Sequence, residues 1–408
     1  MATRFALAVL IFAALVPARA QETLRDLEAR AAALKARGDA AGALAVWEKA
    51  AEMDPRSARI QDEIGFLLAV LQRRDEAVQH FERSLALDPK FAAAHYHLGV
   101  AYWLGSKPDE AIAHLQQAAS LDPKSFEYHY YLGQALNATG RFADALSQLQ
   151  AAIGMNAQFA EAWNQLGLAR QRTGDSDAAI AAYRRAVSLA PSNLDARNNL
   201  GVVLANTGRA DEALAQFHKV LEADPKQEMA RVNAGFAHLQ KAELDEAAAD
   251  FREVLRSNPD SAIAHYDLGI ALKQKDDLNP AKAELKRALS LDGSLAEAHY
   301  ALGIIHWQSG EFEDAAVEMR AALAINPEYG EAWFMLGTAL KQKGDLEAAE
   351  SALRSAIRFD PANPGPYNTL GQLLRQKGDV EGSRAAFAEG AKAKQKKEAE
   401  LGKMLQKR

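Results

Sequence analysis

Ten glycines, Gly65, Gly99, Gly133, Gly167, Gly201, Gly235, Gly269, Gly303, Gly337 and Gly371, stand 34 residues apart without one insertion or deletion. A fixed interval of that length marks repeated supersecondary units, each too small to bury its own apolar face and obliged to stack on its neighbours. Other positions keep the same phase. Twelve residues after each glycine comes a small side chain, as at Ala77, Ala111 and Ala145, ending with Ser383. Four residues further stands a large apolar one: Phe81, Leu115, Leu149, Tyr183, Phe217, Phe251, Leu285, Met319, Leu353 and Phe387. Proline closes most repeats, at Pro89, Pro123, Pro191, Pro225, Pro259, Pro327 and Pro361, whereas Ala157 and Gly293 take its place in two.

Each feature has a physical reason. Glycine in a first helix and alanine in a second let two antiparallel backbones approach closely. The Phe or Leu four residues beyond the alanine shares its helical face and fills the space beside that contact. Proline fixes its own φ and lacks a donor, so it ends the second helix. Between the two helices Gly38, Gly140, Gly174, Gly208, Gly310, Gly344 and Gly378 suit a left-handed residue after a helix, and the Asp that often follows suits an N-cap. Pro280 falls in the first turn of a second helix, where proline is tolerated.

The pattern resembles the tetratricopeptide repeat, a helix–turn–helix with W-x₂-L-G-x₂-Y, A-x₃-F and P positions. Trp163-Asn164-Gln165-Leu166-Gly167 and Trp333-Phe334-Met335-Leu336-Gly337 carry its opening motif nearly whole. The resemblance implies an all-α fold, a right-handed α-solenoid (superhelix) of about eleven repeats. Counted from seven residues before each glycine, these are 58–91, 92–125, 126–159, 160–193, 194–227, 228–261, 262–295, 296–329, 330–363 and 364–397. An eleventh, 24–57, has Ala31 at the glycine position and keeps Ala43, Trp47 and Pro55. The last repeat is atypical, with Ser383 and Gln395, and runs into a basic tail (398–408). From Lys392 to Arg408 there are seven basic and two acidic residues, read as a polar capping helix with a frayed end.

Residues 1–20 read as a secretory signal, with 21–23 a short linker. Arg4 gives a positive start, Phe5 to Val16 is an uncharged apolar run, and Ala18-Arg19-Ala20 is an Ala-x-Ala cleavage site ending at Ala20. The apolar run falls short of the roughly 20 residues that a membrane-spanning helix needs. Export to the periplasm or the medium is therefore expected, with no stable membrane insertion after cleavage. The chain has no cysteine, which excludes disulfides, thiolate metal sites and cysteine-borne lipid anchors. Its net charge of −6 becomes more acidic once Arg4 and Arg19 are lost, which argues against general nucleic-acid binding.

In tetratricopeptide proteins the first helix of each repeat lines a concave face, with its fifth, ninth and twelfth positions toward a ligand. These positions share one helical face. Here they supply Tyr96 and Trp103, Tyr130 and Asn137, Asn164, Asn198, Tyr266 and Lys273, Tyr300 and Trp307, Phe334 and Lys341, and Arg375. Such a stripe of aromatics separated by amides suits a binding surface. The same side chains can instead pack against the helix of the neighbouring repeat. At the sixth position, Gln165, Asn199 and Asn233 recur in consecutive repeats, where the family uses asparagine to clamp the backbone of an extended peptide. A row of glutamines, Gln240, Gln274, Gln308, Gln342 and Gln376, occupies position thirteen, as expected of good surface helix formers. The chaperone-type carboxylate clamp is missing, since no lysine stands at position five.

His95, His129, His265 and His299 occupy the fourth position, where the family prefers tryptophan, and are read as packing residues and not metal ligands. No H-E-x-x-H, Walker loop, dinucleotide fingerprint or G-x-S-x-G elbow occurs. The sequon Asn137-Ala138-Thr139 has meaning only in a eukaryotic secretory pathway. The expected function is a non-catalytic scaffold of the cell envelope that binds a protein or extended peptide and needs no cofactor or metal. The alternative is an accessory subunit of a complex that builds or exports cell-surface polysaccharide, because the repeats resemble those preceding the catalytic region of O-linked N-acetylglucosamine transferases. No such catalytic region follows here.

Overall fold

A computed structural model describes residues 22–405. The expected signal peptide, its cleavage site at Ala20 and the last three residues of the tail lie outside the described residues. Within them there are 22 α-helices and no strand. The first helices of successive repeats begin at Ala58, Ala92, Phe126, Ala160, Leu194, Glu228, Ala262, Ala296, Gly330 and Pro364, each 34 residues after the last. The protein is an all-α solenoid of helical repeats. It divides into two compact parts, one ending at Asn193 and the other beginning at Leu194.

Local chemistry sets the helix ends. Ser57, Ser125 and Ser261 accept a hydrogen bond from a backbone N–H in the first turn of the helix that each precedes, and Asp175 and Asp345 do the same for second helices. Gly140 and Gly344, in the turns between paired helices, adopt φ of 78° and 85°. Four repeats make the same left-handed turn without glycine, at Gln72, Ser106, Ala242 and Asp276. A side chain there is held in a region that L-residues rarely enter.

In the N-terminal part, Ala77, Ala111, Ala145 and Ala179 are fully buried, as are Phe81, Leu115, Leu149 and Tyr183. The helix glycines make room for that second row. A Cβ on Gly133 would stand 2.6 Å from Leu149 Cγ, and one on Gly99 would stand 3.1 Å from the carbonyl oxygen of Ala111. The close approach expected from the sequence is thus a contact of glycine with both the large side chain and the facing backbone.

The C-terminal part repeats this core with Phe217, Phe251, Leu285, Met319 and Leu353, all fully buried. The last member, Phe387, is 37% exposed. It lies on the helix Val380–Leu405, which continues through 26 residues without the break that ends the second helix of earlier repeats.

Candidate binding groove

Hydrogen bonding explains the fourth position of most repeats. In the N-terminal part the Nε2 atoms of His95 and His129 lie 3.1 and 3.2 Å from the carbonyl oxygens of Pro89 and Pro123, and Trp163 Nε1 donates to Ala157 at 3.0 Å. In the C-terminal part His265, Trp333 and Arg231 reach Pro259, Pro327 and Pro225 at 3.0, 2.8 and 3.2 Å. Each carbonyl stands six residues before its partner, at the close of the preceding repeat, where a helix leaves acceptors unpaired. Where position four is Gln or His, it also meets the second helix 19 positions later: Gln61 with His80, His95 with His114, His129 with Gln148, His265 with Glu284, His299 with Glu318. These histidines are therefore polar fasteners within the stack, more than packing residues.

The stripe in the N-terminal part is largely drawn into the protein. Tyr96 and Trp103 are half-buried against the core, and the Tyr96 ring lies 5.0 Å from Tyr128 and 5.5 Å from Tyr131. Burial drives the Tyr96 hydroxyl well above the usual phenol range. Tyr130 is 8% exposed, enclosed by Phe126 and Phe159, and burial pushes its hydroxyl up to about 12. Asn137 is buried, and its Nδ2 donates to the backbone carbonyl of Gln165 at 2.9 Å and to the Gln165 side chain at 3.0 Å. It joins two consecutive first helices. Asn164 and Gln165 are half-buried.

What remains open in this part is an apolar hollow of about 270 Å³ lined by Phe66, Val70, Tyr96, His97, Val100 and Leu104. Val70 and Leu104 are 51% and 58% exposed. At its floor His97 Nδ1 meets a buried Asp62 carboxylate at 2.8 Å.

In the C-terminal part Asn198 is buried and accepts from Asn233 Nδ2 at 3.1 Å. Asn199 is half-buried beside it. Tyr266 packs on the core, and Lys273 is drawn in far enough that burial lowers its ammonium from the usual range. The rings of Tyr300 and Tyr329 lie 4.9 Å apart. Trp307 and Phe334 pack on the next core along, around Leu336 and Leu340, with the Trp307 indole N–H buried and unpartnered. Lys341 donates to Gln372 at 2.9 Å, and Arg375 is exposed. A groove of about 430 Å³ opens among Val202, Ala205, Phe236 and Leu239, rimmed by Asn206, Asn233, Gln240 and Gln274. Phe236 is 42% exposed. The floor is apolar, the rim is made of amides, and no charged side chain lines it.

Sequence reasoning passed over Asp62 and His97, whereas Phe236 stands at the ninth position of its repeat, on the expected stripe. The signal for the first two is spacing: Asp62 with His97 and Asn198 with Asn233 are both pairs 35 residues apart, from position five of one repeat to position six of the next. Among the described residues one cluster of three ligand-bearing side chains, His306, Glu311 and Asp314, lies close enough to hold a cation, yet the Lys282 ammonium already donates to Glu311 at 2.5 Å. No helix in the described residues is long and apolar enough to cross a membrane.

The tetratricopeptide repeat family matches seven stretches, residues 63–126, 105–158, 132–193, 164–228, 233–294, 274–329 and 300–364. The chain belongs to the tetratricopeptide repeat family. A tetratricopeptide repeat protein from Parabacteroides merdae is 16% identical at a TM-score of 0.51, over 61% of this chain and 98% of that one. YrrB, described as a tetratricopeptide repeat protein with an unusual peptide-binding site, is 26% identical over 45% of this chain and 95% of its own, at 0.43. MamA is 32% identical over 40% of this chain and 96% of its own, at 0.38. No curated protein matches the chain. Tetratricopeptide repeat proteins generally serve as non-catalytic scaffolds for protein–protein interaction.

Proposed function

We propose that this tetratricopeptide repeat protein is an exported, non-catalytic scaffold of the bacterial cell envelope, most simply periplasmic, that holds an extended segment of a partner protein. The groove of about 430 Å³ carries the reading. Its floor of Val202, Phe236 and Leu239 offers apolar area for alternate side chains, and its amide rim can donate to and accept from a peptide backbone at once. The absence of charge on that lining favours a partner segment that is itself uncharged, because a buried ion would find no counter-ion there. Export rests on the leader-like residues 1–20.

Capture of partners from envelope extracts tests the reading. Phe236→Ala and Gln240→Ala alter exposed groove residues, and Tyr300→Ala alters the aromatic stripe. Recovery of the partner should fall with Phe236→Ala by about tenfold or more, as for an interface anchor. Undiminished recovery with all three variants would place binding elsewhere.

A further inference from the structure

The repeat spanning 92–125 departs from the others at its polar fastener. Where neighbouring repeats pair histidine with Gln148, Glu284 or Glu318, this one sets His95 against a second imidazole, His114, with the two Nδ1 atoms 2.9 Å apart. We propose that His95 and His114 form a binding site for one borderline divalent cation of the zinc and copper class. This goes beyond the groove and does not depend on it.

Two observations converge. Imidazole nitrogens bind such ions at about 2.0–2.1 Å, so two of them 2.9 Å apart subtend an angle of about 90° at an ion between them. That angle suits adjacent positions of a square-planar or octahedral shell. His95 Nε2 lies 3.1 Å from the Pro89 carbonyl, which can only accept, so the ring hydrogen sits on Nε2 and the Nδ1 lone pair faces His114. Histidines that bind metals are commonly oriented by this kind of backbone contact.

The surroundings are compatible with added positive charge. Glu82 lies close enough for its charge to act on His114, and it accepts a hydrogen bond from Tyr102 at 3.0 Å. The Tyr102 ring sits 5.6 Å from that of His114. Both histidines are only half-buried, which leaves the remaining coordination positions to water. On binding, His114 moves its hydrogen from Nδ1 to Nε2 and turns its lone pair to the ion, with no net loss of a proton.

The test uses the untagged chain titrated with Cu²⁺ and, separately, Zn²⁺. One Cu²⁺ should bind per chain with an electron paramagnetic resonance pattern of two nitrogen ligands. His114→Gln and His95→Gln should each weaken binding by about tenfold or more. Both variants recreate pairings that the protein already uses, His129 with Gln148 and Gln61 with His80, so the fold is retained. His129→Gln should leave affinity unchanged. Equal Cu²⁺ affinity in wild type and both pair variants, or no uptake by wild type at about 100 μM free ion, overturns the site.

Discussion

Asp267 stands at the sixth position of its repeat, where earlier repeats carry Gln165, Asn199 and Asn233. It is 2% exposed, and its Oδ2 has no hydrogen-bond partner. Burial raises its carboxyl to about 7 from 3.8. A carboxyl raised on folding contributes stability that is complete below about 3.8 and is lost as pH rises through about 7. Asp267→Asn should therefore stabilise the protein at pH 8 by on the order of 1–3 kcal/mol and by much less at pH 5. Urea unfolding at both pH values measures this, and an equal gain at both would show that ionisation is not the cause. The residue type was plain in the sequence. Its isolation was not, because that depends on what the preceding repeat presents to it.

At the scale of the helix pair, the core was legible because every member recurs at one phase: Gly133, Ala145 and Leu149 meet as their spacing requires. The fasteners were missed although the signal was present. Where position four is polar, as at His129, His265 and His299, the residue 19 later is Gln148, Glu284 or Glu318. Where it is a large aromatic, as at Trp163, Trp333 and Tyr367, that residue is Ala182, Ala352 or Ala386. The first repeat places Leu27 opposite Val46, both buried. Size and polarity thus covary inside each repeat, a pattern hidden when each column is read separately. Trp333→His should destabilise the chain, and adding Ala352→Glu should recover part of the loss by restoring the pairing of His299 with Glu318. A double-mutant cycle should give a coupling of about 0.5–3 kcal/mol, and strict additivity would contradict the pairing.

For the molecule as a whole, the 34-residue period fixed the fold class, while the groove depended on how far each stripe residue is withdrawn. Tyr130, Asn137 and Asn198 fit the stripe by position but are buried, whereas Phe236 and Arg375 remain exposed. Position alone carries no information about depth. Export makes a separate claim: the protein recovered from the periplasmic fraction should begin at Gln21. N-terminal sequencing that finds residues 1–20 still attached to soluble protein would contradict it. The two kinds of polar contact also bear on how such a chain can lengthen. A fastener such as His265 with Glu284 lies wholly inside one repeat and asks of its neighbour only a main-chain oxygen, which every residue possesses. A duplicated segment therefore arrives with its own joint complete and can be spliced in without matching. Asp62 with His97, and Asn198 with Asn233, straddle the seam between two repeats. Copying one member alone strands the other, so the polar groups that line the hollows must diverge in adjacent pairs while the scaffold around them multiplies freely.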